Sequence, residues 1–356
     1  MSDRHVPINK GNYSMDTAER EKQFDKFRGE GWESEYRDYR NKWVSLAKTQ
    51  TVSEYPLLVD IELASLCNLT CPMCYTITDE FKKSVNTTRM DFALYKRIID
   101  EIGGKVPAIR LSLRGEATLH TKFAECIAYA KERGIKEVSM LTHGGKLTLP
   151  YFDKIVRAGI DWITISADGV GATYESIRKP LKFDDLLDKI KAIKQYKDER
   201  GLHRPVIKIQ GIWPAIAVDP QLYYDTFAPY VDLVAFNPLI DYLGNDKHIE
   251  YVENFTCPQQ YQRLVIGADG LVMKCSNDEE NRELIGDINK QSVHEIWHGE
   301  AMRKVREMHK KSRGFMDSAV CRKCYLPRKT QDEEAQVGAR TFTVRNYVHR
   351  IQVVGR

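Results

Sequence analysis

The 356-residue sequence predicts an α/β fold: an open, partial (β/α)6 TIM-like barrel followed by a small cysteine-bearing C-terminal module. Three observations predict it. Short apolar runs alternate with amphipathic stretches between Tyr55 and about Pro238, a pattern that demands parallel strands and right-handed crossovers. The period breaks beyond Pro238. Seven of the eight cysteines fall into two sets, one after the first barrel strand and one in the C-terminal module.

Residues 1–53 are charged with scattered aromatics (Phe24, Phe27, Trp32, Tyr36, Tyr39, Trp43) and read as a capping or lid-like helical extension. Residues 54–245 hold the barrel. Its strands read as Leu57–Leu63, Ala108–Leu113, Glu137–Leu141, Trp162–Ser166, Val206–Ile212 and Leu233–Phe236. Helices between them read as Asp91–Ile102, Lys122–Arg133, Tyr151–Arg157, Tyr174–Lys197 and Gln221–Tyr230, with Gly103, Gly134 and Gly159 at their ends. In such a barrel the active groups belong at the C-terminal strand ends. Residues 246–328 form the small module, with a hairpin turned at Ala268-Asp269-Gly270 and a helix over about Val293–Lys311. Residues 329–356 read as a tail whose last part is weakly fixed.

Lys and Arg number 54 against 50 Asp and Glu, a surplus too small and too dispersed for a phosphate-tracking surface, so nucleic acid is excluded. No run approaches the roughly 20 apolar residues of a membrane span, and the polar start Met1–Lys10 lacks a secretory h-region. A reducing, cytoplasmic setting is the expectation.

Cys67, Cys71 and Cys74 form C-x3-C-x2-C, three thiolates where a closed cubane needs four. The vacancy points to chemistry at an open iron. A structural zinc site is the competing reading, but no His or Cys follows at finger-like spacing. Cys257, Cys275, Cys321 and Cys324 form the second set, C-x17-C-x45-C-x2-C, with Gly270 giving G-x4-C on the hairpin. For them a zinc ribbon is the alternative. Cys126, alone on a helical stretch, reads as core.

The triplet resembles that of the radical SAM (S-adenosylmethionine) enzymes, with Met73 where that family usually has an aromatic residue and Tyr75 just beyond. The second set resembles the twitch module, the short form of the SPASM domain. The domain plan is similar to that of the 2-deoxy-scyllo-inosamine dehydrogenases. These resemblances imply two [4Fe–4S] clusters and SAM as cofactors, the triplet leaving one iron for SAM and the quartet closing an auxiliary cluster. They imply a small-molecule substrate, polar and of amino sugar or cyclitol type, and a one-electron donor such as flavodoxin or ferredoxin. Ser112-Leu113-Arg114-Gly115-Glu116-Ala117 resembles the family's Gly-Gly-Glu-Pro element, with Arg114 and Ala117 as departures, and gives Gly115 and Glu116 to the SAM ammonium. Thr142 and His143 stand where relatives have Thr-Asn. Ser166 and Asp168 match Ser-x-Asp-Gly, and Arg178 also recurs, so all five are expected at SAM or substrate.

The family's reaction begins with reductive SAM cleavage to a 5′-deoxyadenosyl radical that takes a hydrogen from substrate. Two fates compete: two-electron oxidation through the auxiliary cluster, with Arg114, Asp241 or Tyr242 as proton acceptor, and epimerisation, which commonly needs a thiol that this chain has no cysteine to supply. Peptide modification is a further alternative, disfavoured because the N-terminal segment is short and lacks the strands of a peptide-recognition domain. Gly211, ending the fifth strand, marks a close approach to backbone.

Overall fold

The computed structural model describes residues 4–8, 10, 12–241, 243, 244, 246–350 and 352–354. Its strands are β1 (Tyr13–Ser14), β2 (Leu58–Ile61), β3 (Ala108–Arg110), β4 (Glu137–Thr142), β5 (Trp162–Ser166), β6 (Val206–Ile212), β7 (Leu233–Asn237), β8 (Arg263–Ile266), β9 (Leu271–Met273), β10 (Leu284–Asp287), β11 (Thr330–Val337) and β12 (Arg340–Tyr347).

Ten of these form one sheet in the order β1-β7-β6-β5-β4-β3-β2-β8-β9-β10. Strands β2 to β7 are parallel, with Val59 opposite Ile109, Ile163 opposite Ile207 and Ile209 opposite Val234. These residues are buried, as strands covered on both faces require. Helices Phe92–Ile102, Phe123–Glu132, Leu149–Ala158, Phe183–Glu199 and Pro220–Phe227 follow β3 to β7 or precede them in alternation. Asp91 caps the first by accepting from Ala93 and Leu94 N–H, and Gly159, at φ +96°, ends the third.

Three expectations need correction, and the tail adds a hairpin. The hairpin β8–β9 is not set apart from the barrel: β8 pairs in parallel with β2, Leu58 opposite Arg263, and so extends the barrel sheet past its first strand. The stretch Tyr174–Lys197 is two helices, Ala172–Ile177 and Phe183–Glu199, with Pro180 in the break. The stretch Val293–Lys311 divides at Gly299 into Val293–His298 and Glu300–Lys310. Much of the tail is ordered as the antiparallel hairpin β11–β12, with Val337 and Val344 in the main core and Phe342 against Trp213 and Phe236.

The N-terminal extension is helical over Ala18–Arg28 and Glu33–Thr49, and these two helices cover the N-terminal ends of the barrel strands. Trp32, Tyr36, Tyr39 and Trp43 pack on Leu57, Leu58 and Ala108, and Phe24 packs on Val206 and Leu233. Those partners all lie at the N-terminal ends of their strands. Arg28 donates twice to Glu137, the first residue of β4, at 2.9 Å each. These helices plug that end, whereas the preceding residues run along the C-terminal module, His5 bridging to Phe255 and Lys10 Nζ donating to Leu326 O at 3.1 Å.

Candidate active site

The loop after β2 carries the first cysteines at the C-terminal end of the barrel. Cys67 is exposed, Cys71 buried and Cys74 half-buried. Cys74 N–H donates to Cys71 O at 3.0 Å, making the turn that brings the last two together. Leu69 N–H donates to Cys67 Sγ at 3.5 Å, and an Arg178 Nη1 reaches Cys71 Sγ at 3.8 Å. Burial pushes the Cys67 thiol up to about 11, and its two companions add to that.

Gly115 is forced by this loop. A Cβ there would lie 2.4 Å from Leu66 O and 2.5 Å from Ala64 O. The next residue's N–H donates to Leu66 O at 2.9 Å, so the Gly115-Glu116 element clamps the start of the cysteine loop. The buried Glu116 carboxylate is a hub. It accepts from the Thr118 hydroxyl at 2.6 Å, the Thr142 hydroxyl at 2.7 Å and His143 N–H at 3.0 Å. His143 Nδ1 accepts from Gly145 N–H at 3.0 Å, which leaves its proton on Nε2, facing Asn68 Oδ1 at 2.9 Å. Burial keeps that ring below its usual pKa, hence neutral.

Asp168 is held between two elements. One oxygen accepts from Ile212 N–H at 3.0 Å and the other from Arg178 Nε at 2.6 Å. Ser166 closes β5 opposite Gln210. The structure thus brings Glu116, Thr142, His143 and the Asp168–Arg178 pair to the same strand ends as the triplet. Gly211 has an internal explanation instead: a Cβ would stand 2.5 Å from Ala167 O.

Arg114 does not behave as an acid–base group. Its side chain is 1% exposed and forms a buried pair with Glu62 at 2.6 Å, and a guanidinium does not surrender its proton in proteins. Its Nη1 donates to Asn281 Oδ1 at 2.7 Å, reaching across to the C-terminal module. Asp241 is buried and accepts from Asp246 N–H at 2.9 Å. Tyr242 lies outside the described residues.

Cys257, Cys275, Cys321 and Cys324 converge, each of Cys257, Cys275 and Cys324 feeling the charge of Cys321. Burial pushes Cys257 and Cys324 up to about 12 and Cys275 well above its usual range. Thiols so desolvated and crowded become thiolates only beside a compensating cation, and the irons of a cluster supply one. Among the described residues no three of His, Cys, Asp and Glu converge as a single metal ion requires. Donors surround the second set: Asn277 Nδ2 to Cys324 Sγ at 3.0 Å, Leu326 N–H to the same sulfur at 3.4 Å, and Lys274 Nζ to Cys321 Sγ at 3.3 Å.

A cleft of about 50 Å³ opens between Tyr75, next to Cys74, and Cys324. Tyr75, beside Cys74, forms one wall and Cys324 and Tyr325 another, with Asp241, Glu279, Arg282 and Lys323 between. Burial pushes the Glu279 carboxyl up to about 8. Sequence reasoning missed Glu62, Lys274, Asn277 and Glu279. The signal available was their closeness to recognised motifs, one residue before or two after Cys275 for Lys274 and Asn277.

Comparison with known proteins agrees with this geometry. Residues 61–207 match the radical SAM superfamily and residues 257–325 the SPASM iron–sulfur cluster-binding domain. A tungsten-containing aldehyde ferredoxin oxidoreductase cofactor-modifying protein of Pyrococcus furiosus is 26% identical over 156 residues, 43% of this chain and 42% of that one. The 7,8-dihydro-6-hydroxymethylpterin dimethyltransferase of Methanocaldococcus jannaschii is 30% identical over 118 residues, 32% of this chain and 22% of that one. The chain thus spans less than half the length of these curated relatives. Among solved structures, BtrN in complex with AdoMet and 2-DOIA superposes with a TM-score of 0.53 at 19% identity, over 76% of this chain and 92% of BtrN. SuiB of Streptococcus suis bound to S-adenosylmethionine gives 0.55 at 12% identity, over 81% and 76%. At such identities the likeness speaks for the fold. Among the described residues no helix is long and apolar enough to cross a membrane. The two matched regions lie over the two cysteine sets, so the chain carries a radical SAM domain followed by a SPASM iron–sulfur cluster-binding domain.

Proposed function

We propose that the protein is a dehydrogenase-type oxidoreductase that removes two electrons from a small polar substrate, of amino sugar or cyclitol type, seated in the cleft between two [4Fe–4S] clusters. One observation carries the reading: the cleft is walled by Tyr75 next to the open triplet and by Cys324 of the closed quartet. A substrate there faces both centres. When bound, SAM and the two clusters supply a hydrogen-abstracting radical and an electron sink, with flavodoxin or ferredoxin as the first electron donor.

The residues of the chain position these groups. Cys67, Cys71 and Cys74 hold the first cluster, and Cys257, Cys275, Cys321 and Cys324 the second. Glu116 receives the SAM ammonium, helped by Gly115, Thr142 and His143, which orient the carboxylate and its loop. Ser166, Asp168 and Arg178 meet the ribose and carboxylate ends. Asp241 and Glu279 are the carboxylates placed to take a substrate proton. Burial keeps Glu279 protonated at neutral pH, so it takes a substrate proton only once it has released its own. Epimerisation is less well supported, since Cys126 is fully buried in a helix and hydrogen donation requires an accessible thiol.

Anaerobic reconstitution tests the reading. About eight irons per chain, 5′-deoxyadenosine on reduction, and a product lighter by two hydrogens support it. A product of unchanged mass contradicts oxidation. Cys67→Ala is expected to fold, keep half the iron and cleave no SAM.

A further inference from the structure

Of the four sulfurs in the second set, Cys321 takes a charged donor. Lys274 follows β9 and immediately precedes Cys275, and its side chain is 0% exposed. Its ammonium donates to Cys321 Sγ at 3.3 Å. The other two donor directions meet the Glu283 carboxylate and the Ser318 hydroxyl. Ser318 in turn donates to Glu283 Oε1 at 2.8 Å and accepts from Cys321 N–H at 3.0 Å. Val320 N–H donates to the same carboxylate at 3.2 Å. The network therefore fixes one cation against the sulfur and one anion behind the cation.

A wholly buried ammonium is costly to desolvate and is retained only where partners compensate it. The other sulfurs show that hydrogen-bond donation here needs no charge: Asn277 and Leu326 N–H serve Cys324, and Gln260 Nε2 stands 4.0 Å from Cys257 Sγ. His309 stands 3.8 Å from Cys321 Sγ and is buried. The feature to explain is the sign of the charge at Cys321.

We propose that Lys274 is a positioning residue that sets the reduction potential of the auxiliary cluster, raising it so that the cluster accepts an electron, with Glu283 as the counter-charge that limits the rise. The inference rests on the reading that the quartet holds a [4Fe–4S] cluster. Reduction adds one electron and one negative charge to that cluster. A fixed cation at a ligating sulfur stabilises the reduced form over the oxidised one, and low local dielectric magnifies the difference. No proton needs to move for this, so the effect is a constant offset. The electron comes from substrate oxidation, whose proton passes to a carboxylate in the cleft and whose hydrogen atom passes to the 5′-deoxyadenosyl group.

The test is an EPR-monitored redox titration of anaerobically reconstituted full-length protein. Lys274→Met is expected to lower the auxiliary midpoint so that the equilibrium constant for reduction falls about tenfold, a shift of about 59 mV for one electron. Glu283→Gln is expected to shift it in the opposite direction, and it serves if Lys274→Met fails to assemble. The cluster on Cys67, Cys71 and Cys74 should keep its potential in both. An auxiliary cluster present with an unmoved midpoint, or moved the same way by both variants, overturns the role of Lys274 alone. A native protein with iron only at the triplet overturns the underlying reading as well.

Discussion

Arg114 grips Glu62 through two hydrogen bonds, Nε to Oε1 at 2.8 Å and Nη2 to Oε2 at 2.6 Å, with both side chains out of reach of solvent. The pair joins three loops. Glu62 also accepts from Ala268 N–H at 3.1 Å in the turn after β8, and Arg114 reaches Glu279 O and Asn281 in the loop lining the cleft. One ion pair therefore fixes the barrel mouth to the SPASM domain. Arg114→Met leaves the Glu62 charge buried and alone, which costs about 3–5 kcal/mol. Urea unfolding is expected to show that loss, and the double variant Arg114→Met/Glu62→Met is expected to recover most of it. Additive losses would contradict the coupling.

Gly115 makes a second, local prediction. Any Cβ at this position pushes the carbonyls of Ala64 and Leu66 away, and with them the loop that carries Cys67. Gly115→Ala should cost about 1–3 kcal/mol, as overpacking does, and should depress SAM cleavage well beyond what that loss of stability explains. Wild-type cleavage in a destabilised variant would mean that the loop tolerates displacement.

Glu279 fixes a pH dependence. A free carboxyl titrates near 4.5 and burial moves this one to about 8. Between those values the folded protein holds a proton that the unfolded chain has released, so folding stability falls as pH rises through that window. Glu279→Gln keeps the shape without the charge and is expected to flatten the slope between about pH 4.5 and 8. Denaturation midpoints at a series of pH values measure it, and an unchanged slope would place the carboxylate in water.

Arg28 tests the plug. Arg28→Met strands the buried Glu137 at the base of β4. Global destabilisation of about 3–5 kcal/mol is expected, with KM for the substrate unchanged in the folded fraction. A selective rise in KM would instead give the extension a role in recognition.

The barrel was legible because six apolar runs at a regular spacing leave few alternatives. The cysteine sets were legible because ligand spacing is local in sequence. The β8–β2 pairing was not, since Arg263–Ile266 looks the same in a free hairpin as at a sheet edge. The β11–β12 hairpin was masked by the exposed Asp332, Glu333 and Glu334, although Thr341-Phe342-Thr343-Val344 carries the alternation of a half-buried strand. Arg114 was misread because its sequence neighbours belong to the Gly115-Glu116 element, whereas its partner Glu62 lies 52 residues away. Glu279 escaped notice because a raised pKa comes from burial, which no motif records.

The claim on which the account stands is that the triplet leaves an iron for SAM while the quartet does not. EPR of the dithionite-reduced protein, recorded with and without SAM, tests it most directly. Two cluster signals are predicted, of which SAM perturbs one, and that one is missing from Cys67→Ala. Two signals both indifferent to SAM would contradict it.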